Sequence, residues 1–168
     1  MANSGVNAWA PKSVRLRIAE LADAETITSV INSAFRRAEL FFIDGNRIEA
    51  KEVADCLRTG KFLLADEEDM VVGCVYVETR GARAYLGLLS VLPSRQKFGL
   101  GSLLMTAAED YCHGLGCRFM DIKIVNLRKE LPDFYHRRGY VETGTSPFPV
   151  DLETKLPCYF IDMSKPLG

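Results

Sequence analysis

The sequence predicts an α/β domain on a mixed (α+β) sheet, with the element order β-α-α-β-β-β-α-β-α-β-β. Three observations carry that prediction. Short apolar runs with strand periodicity alternate with windows of helical periodicity. Three of the strand-like runs follow one another through tight charged or glycine turns, as an antiparallel meander does. The meander then feeds, through a strongly amphipathic helix, into another apolar strand, which makes a β-α-β unit.

Each element has its own signal. Val14-Arg15-Leu16-Arg17-Ile18 alternates at period two and reads as a half-buried strand. Asp23 reads as the N-cap of a helix whose Ile27, Val30, Ile31, Ala34 and Phe35 share one face. A loop from Arg36 to Asn46 carries the aromatic pair Phe41-Phe42 and an Asp44-Gly45-Asn46 turn, and a second helix spans Arg47 to Thr59, stopped by Gly60. The meander comprises Phe62 to Ala65, Met70 to Thr79 and Tyr85 to Leu92. Leu100, Leu103, Leu104, Ala107, Ala108 and Tyr111 then predict an amphipathic helix over Gly99 to Gly114, ended by Gly116. Phe119 to Val125 is a strand, Pro132 to Arg138 a short helix ended by Gly139, and Tyr140 to Thr143 and Cys158 to Met163 are the last two strands.

Composition excludes several classes. The 168 residues are 48% apolar and 26% charged, which suits one domain with a core of its own. We expect a tail over residues 1–12 and one domain over 13–168. Twenty-one basic against 22 acidic side chains leave no global field for a nucleic acid. No apolar run approaches the ~20 residues of a membrane span. The five cysteines (Cys56, Cys74, Cys112, Cys117 and Cys158) form no C-x-x-C pair, and with only His113 and His136 beside them no zinc spacing occurs. Free thiols, mostly buried, in a reducing cytoplasm are expected. The first twelve residues lack the apolar stretch of a signal peptide.

The chemistry concentrates between Leu88 and Ser102, where an apolar strand ends at Pro93 and Gly99 and Gly101 open a helix. The first amides of a helix have no intrahelical partner and its dipole favours negative charge, so this is an anion cradle. Glycines admit a phosphate close to the backbone, and Arg95 and Lys97 add charge. No Walker sequence is present. A dinucleotide loop of the Rossmann type fits poorly, because Leu104 stands at the third glycine position and Asp121 lies within its strand rather than at its end.

Gln96-Lys97-Phe98-Gly99-Leu100-Gly101 resembles the Q/R-x-x-G-x-G/A signature of the GNAT superfamily of acyl-CoA-dependent N-acyltransferases, with Val91-x-Pro93 at the usual spacing before it. Met120 to Asn126 and Tyr135-x-x-x-Gly139-Tyr140 are similar to later segments of that family, and the element order from Val14 to Met163 is similar too. The resemblance implies a GNAT-like fold whose central strands splay apart to admit pantetheine. It implies acetyl-CoA as co-substrate, no metal, and transfer of the acetyl group to a primary amine of a small molecule or peptide. A cytoplasmic enzyme without nucleic-acid or membrane partners is expected, with a homodimer left open.

Carried over by position, Leu89, Ser90 and Val91 would offer backbone groups to pantetheine and the thioester carbonyl. Gln96 belongs to the same cofactor-binding set, and Lys97, Phe98, Gly99, Leu100, Gly101 and Ser102 would hold the pyrophosphate. Asn126 would contact pantetheine or the phosphates. Tyr135 resembles the family's general acid, although nine positions separate it from Asn126, a longer gap than many members show. A tyrosine buried only for packing is the alternative. The glutamate that some members carry before the glycine loop is replaced by Tyr85. Asp121 is either a base or a partner of Lys123 on the same strand face, with pairing favoured. Without an evident buried glutamate, an amine of low pKa is the easier acceptor. Arg137 and Arg138 either reach the 3′-phosphate or form a solvated face. Phe41, Phe42, Asp44, Phe148 and residues 145–155 are candidate acceptor walls, or, for the aromatics, core anchors. A non-catalytic acyl-CoA-binding module of the same fold is the second reading.

Overall fold

In a computed structural model of the protein, residues 13–149 and 152–168 are described, and the expected tail over 1–12 lies outside them. In chain order the elements are β1 (Val14–Ile18), α1 (Ala24–Glu39), α2 (Ala50–Thr59), β2 (Lys61–Glu67), β3 (Met70–Arg80), β4 (Arg83–Val91), α3 (Leu100–Gly114), β5 (Phe119–Val125), α4 (Leu131–His136), β6 (Val141–Pro147) and β7 (Tyr159–Pro166). The strands form one sheet in the order β1-β2-β3-β4-β5-β7-β6. All neighbours are antiparallel except β4 and β5, the parallel pair joined through α3. This is the mixed α/β architecture and element order that the sequence predicts.

Helices cover both faces. Against one, α3 buries Leu104, Met105, Ala108 and Cys112 over Val72, Val75, Met120 and Ile122. Against the other, α1 buries Ile27, Val30 and Ile31 with Phe62, Leu64 and Tyr76. Each fully buried aliphatic side chain contributes about 1.5–3 kcal/mol, so these two seams hold the sheet between its helices.

Several boundaries differ from the sequence expectation for identifiable reasons. α2 starts at Ala50 rather than Arg47, because the backbone N–H groups of Arg47 and Ile48 donate to Asn32 Oδ1 (2.9 and 3.1 Å) and are held outside the helix. Asp23 occupies the N-cap position of α1 but makes no cap bond to it. Its carboxylate instead accepts from the Glu20 N–H (2.8 Å) and pairs with Arg17 (2.9 Å). On α3 the buried stripe runs through Leu100, Leu104, Ala108 and Cys112, whereas Leu103 is 40% exposed; the apolar face is rotated from the one the spacing suggests. β6 extends to Pro147 although Gly144, Ser146 and Pro147 are poor strand formers, because β7 pairs with it along its length from Val141↔Ser164 to Pro147↔Tyr159. The thiols are free, with Cys74, Cys112 and Cys117 buried and Cys56 and Cys158 half-buried.

Candidate active site

The site begins with a failure of pairing. β4 and β5 are hydrogen-bonded only over Arg83–Tyr85 against Phe119–Asp121, and beyond Tyr85 the ladder stops. The strands diverge there, and a cleft of about 320 Å³ opens between Leu86–Val91 on one side and Ile122–Val125 on the other. Helix residues Ala34, Phe35 and Glu39 and the aromatic Phe134, Tyr135 and Phe148 close its ends.

β4 is deformed where it meets this opening. Between Cys74↔Ser90 and Tyr76↔Gly87 its register against β3 slips by one residue, and Leu88 adopts φ +53°. A left-handed conformation at a non-glycine residue costs about 1–2 kcal/mol. The bulge is pinned from within: Ser90 Oγ donates to the Leu88 carbonyl (3.0 Å), as does the Cys74 thiol (3.9 Å). Burial pushes that thiol up to about 12, so it remains a protonated donor. A bulge at this place re-aims the main chain of β4 toward the cleft, where no neighbouring strand takes up its polar groups.

The glycine loop follows. Pro93–Arg95 form a single 3₁₀ turn, Lys97 takes φ +72°, and Gly99 caps α3 with φ +81°. Gln96 Nε2 donates to the Val91 carbonyl (3.1 Å), tying the loop to the end of β4. A Cβ placed on Gly99 or Gly101 would meet nothing within 4 Å, so open space stands directly over the first amides of the helix. That combination suits the pyrophosphate of a bound acyl-CoA. Arg95 does not contribute to it in the way the sequence suggests, since its guanidinium turns back to Glu67 on β2 (3.1 Å).

Of the residues nominated from sequence, Leu89, Ser90, Val91, Gln96, Gly101 and Tyr135 line the cleft. Lys97, Phe98, Gly99, Leu100 and Ser102 belong to the loop and first helical turn beside it, with Phe98 77% exposed and Leu100 buried in the core. Asn126 is otherwise engaged: its Oδ1 accepts from the Tyr159 N–H (2.9 Å) and fastens the start of β7 to the end of β5. Arg138 is also committed, to Glu109 (3.5 Å) and Thr106 (3.0 Å), while Arg137 is exposed.

Tyr135 lies on α4, 7% exposed, with its ring edge-on to Phe134 (5.0 Å) and Tyr140 (5.7 Å). Its hydroxyl has no hydrogen-bond partner among the described residues, yet it is not among the polar atoms sealed from solvent. Burial pushes it up to about 12, against a modest pull downward from Arg128.

The expected pairing of Asp121 with Lys123 is not what the structure contains. Asp121 accepts both arms of Arg83 (2.6 and 2.8 Å), which hold its carboxyl below the usual range, and it does not line the cleft. Lys123 instead donates to Ser146 (2.8 Å) and Asp162 (3.4 Å). Parallel pairing sets Arg83 one strand away from Asp121, and sequence spacing alone carries no sign of that.

The structure also supplies what the sequence hid. Glu39, at the end of α1, is 5% exposed and lines the cleft, facing Arg128 (3.3 Å) and Arg47 (3.7 Å). Burial pushes its carboxyl up, opposed by the two guanidinium groups. In the sequence Glu39 falls within the expected loop over Arg36 to Asn46, whereas in the structure α1 runs on to it; the one available signal was Leu40-Phe41-Phe42 immediately after it. Phe42 is wholly buried beside Ile43 and Val125, while Phe41 is 53% exposed. Phe148 packs on Phe160 (5.0 Å) and lines the cleft, and Asp44 pairs with Lys155 (3.0 Å). Tyr85 lines the cleft where some family members carry glutamate, with Arg80 over its ring (5.0 Å). Among the described residues no cluster of His, Cys, Asp or Glu has the makings of a metal site, and no helix is long and apolar enough to cross a membrane.

Comparison with known proteins agrees with this geometry. The family model of the acetyltransferase (GNAT) family matches residues 26–140. No curated protein matches the chain in sequence. Among solved structures, an acetyltransferase of Salmonella typhimurium, determined with its cofactor acetyl-CoA, superposes with a TM-score of 0.72 at 20% identity, covering 93% of this chain and 95% of that one. A ribosomal-protein-alanine N-acetyltransferase of Brucella melitensis is similar at TM-score 0.73 and 17% identity, over 91% and 99% of the two chains. Nourseothricin acetyltransferase is similar at TM-score 0.72 and 19% identity, over 92% and 99%. With the splayed strands, the glycine cradle and a family match over residues 26–140, the chain belongs to the GNAT acetyltransferase family.

Proposed function

We propose that the protein transfers an acetyl group from acetyl-CoA to a primary amine by direct attack, with residues 13–168 forming one catalytic domain. The observation that carries this reading is the strained, pinned bulge at Leu88 facing the gap between β4 and β5. A left-handed leucine persists only where the surrounding structure holds it, and such strain gathers at functional sites. Free thiols suit a reducing, cytoplasmic setting.

When bound, acetyl-CoA supplies an activated acetyl thioester. The amides at the start of α3, from Gly99 through Ser102, hold the pyrophosphate, and Leu89, Ser90 and Val91 offer main-chain groups to the pantetheine arm. A backbone N–H at the bulge polarises the acetyl carbonyl as negative charge develops on its oxygen. The attacking nitrogen forms its bond to the acetyl carbon, the carbon–sulfur bond breaks, and Tyr135 donates its hydroxyl proton to the departing sulfur. The attacking amine gives up its own proton to water in the cleft, and water returns a proton to the Tyr135 oxygen, which restores the hydroxyl. With Asp121 held by Arg83, that relay does not run through the carboxylate on β5.

Calorimetry with acetyl-CoA, followed by loss of thioester across a panel of amines, tests the reading. Saturable binding that Gly99→Glu weakens, together with amine-dependent thioester loss, is the expected result. Absence of binding overturns the proposal, and binding without transfer to any amine identifies a non-catalytic acyl-CoA-binding module.

A further inference from the structure

One cation in the cleft has no hydrogen-bonding partner among the described residues. Arg47 lies in the α1–α2 connection, where Asn32 holds the main chain from both sides: Oδ1 accepts from Arg47 and Ile48, and Nδ2 donates to the Ile48 carbonyl (2.9 Å). Its guanidinium lies between the rings of Phe35 (5.5 Å) and Phe148 (5.9 Å). Nε is shut off from solvent without a hydrogen bond, and the ion pair of Arg47 is the 3.7 Å approach to Glu39. A guanidinium carries five donors, and here none is used by the described residues.

The other cations lining the cleft are satisfied. Arg128 meets Glu39 (3.3 Å) and Glu130 (2.6 Å), and Lys123 meets Asp162 and Ser146. Of the three cations that line the cleft, Arg128 and Lys123 are thus each paired with a carboxylate, while the charge partner of Arg47 among the described residues is Glu39 at 3.7 Å. A guanidinium so loosely paired attracts an anionic group of the acceptor. Glu39 is already shared with Arg128, so it does not satisfy the fork of Arg47.

We infer that Arg47 receives a carboxylate borne by the acceptor, so that the substrate class is a small amino acid presenting its amine to the acetyl group. The inference rests on the acetyl-transfer reading and deepens it. A planar fork matches a carboxylate with two parallel bonds, and the rings of Phe35 and Phe148 lie within cation–π distance of the guanidinium. The cleft, of about 320 Å³, must also admit the acetyl-bearing end of pantetheine, so the acceptor's amine and its carboxylate enter close together. Arg47 is clamped by Phe35 and Phe148, and not by any residue of the glycine loop, which separates its task from that of holding phosphates.

The experiment compares free amino acids with their carboxamides. Alanine, methionine, phenylalanine and glutamate are each offered with acetyl-CoA as acid and as amide. In the unaltered protein at least one acid must exceed its amide by tenfold or more in kcat/KM. In Arg47→Gln that ratio must fall below about twofold, with Arg47→Lys, which keeps the charge but loses the fork, in between. Equal use of acid and amide, or a preference that survives Arg47→Gln, overturns the inference. A second arm separates this from failure of the transfer reading. N-acetylated amino acids are titrated into the CoA-loaded protein against their N-acetylated amides. Binding of the acids tenfold tighter, lost in Arg47→Gln, supports the carboxylate site even where no turnover occurs. Binding of neither, or of both alike, overturns it. A CoA titration of each variant reports that the fold is intact.

Discussion

Replacing Tyr135 with phenylalanine should separate catalysis from stability. The hydroxyl makes no hydrogen bond to the described residues, while the ring is packed against Phe134 and Tyr140. Deleting one oxygen therefore breaks no protein hydrogen bond and keeps the aromatic packing. Replacing an unpartnered polar group by an apolar one of the same shape is nearly neutral, and we expect a change below about 1 kcal/mol. For a chain of this size that is a shift of no more than about 2–4 °C in Tm. Catalysis has no such tolerance. A positioned general acid contributes about 10²–10⁴-fold, or roughly 3–5 kcal/mol of the barrier. Thermal melting, acetyl-CoA calorimetry and initial rates of thioester loss should give an unmoved Tm, an unmoved Kd and a turnover reduced at least a hundredfold. Turnover within threefold of the unaltered protein would refute the general-acid role. A joint loss of Tm and turnover would show that the hydroxyl is structural.

Three further outcomes follow from the same geometry. Because burial pushes Tyr135 up to about 12, its proton is retained throughout the working range and lost only as pH passes that value. The kcat/KM profile should rise as the acceptor amine deprotonates, with no falling limb from this residue below about pH 10; a limb near 9 that disappears in Tyr135→Phe would contradict this. Gly99→Glu forces a side chain onto φ +81° at a cost of about 1–2 kcal/mol and puts a carboxylate near the phosphate cradle. Calorimetry should show acetyl-CoA affinity down at least tenfold, and unchanged affinity would displace the cradle from the glycine loop. Asp121→Asn should leave turnover within about threefold, because Arg83 occupies both oxygens outside the cleft; a loss beyond a hundredfold would restore Asp121 as a base.

The cleft was legible in part because backbone chemistry is written locally. Gly99 and Gly101 announce a helix start with room above it, and Leu89 to Val91 announce a strand end, whatever their neighbours are. Side-chain commitments were not legible. Asn126, Arg138 and Arg95 look uncommitted in one dimension, but Asn126 Oδ1 is bonded to Tyr159 and the two arginines are paired with Glu109 and Glu67 across long sequence separations. Asp121 and Lys123 are neighbours on one strand face, yet each finds a better-placed opposite charge on an adjacent strand.

Glu39 and Arg47 mark the limit most clearly. Read along the chain, each is one charge among many in a polar segment. Their place in the cleft follows only once α1, the connection to α2 and the late β6–β7 hairpin converge on the same end of the sheet. The sequence by itself determined the order of strands and helices and the glycine loop, because periodicity and backbone preference act within a few residues. The tertiary structure alone decided the ladder that stops at Tyr85, the bulge at Leu88 and the loosely paired guanidinium beside Phe148. Those depend on which groups meet across the fold, since a charge or a strand edge acquires its role from the partner it lacks as much as from the one it has.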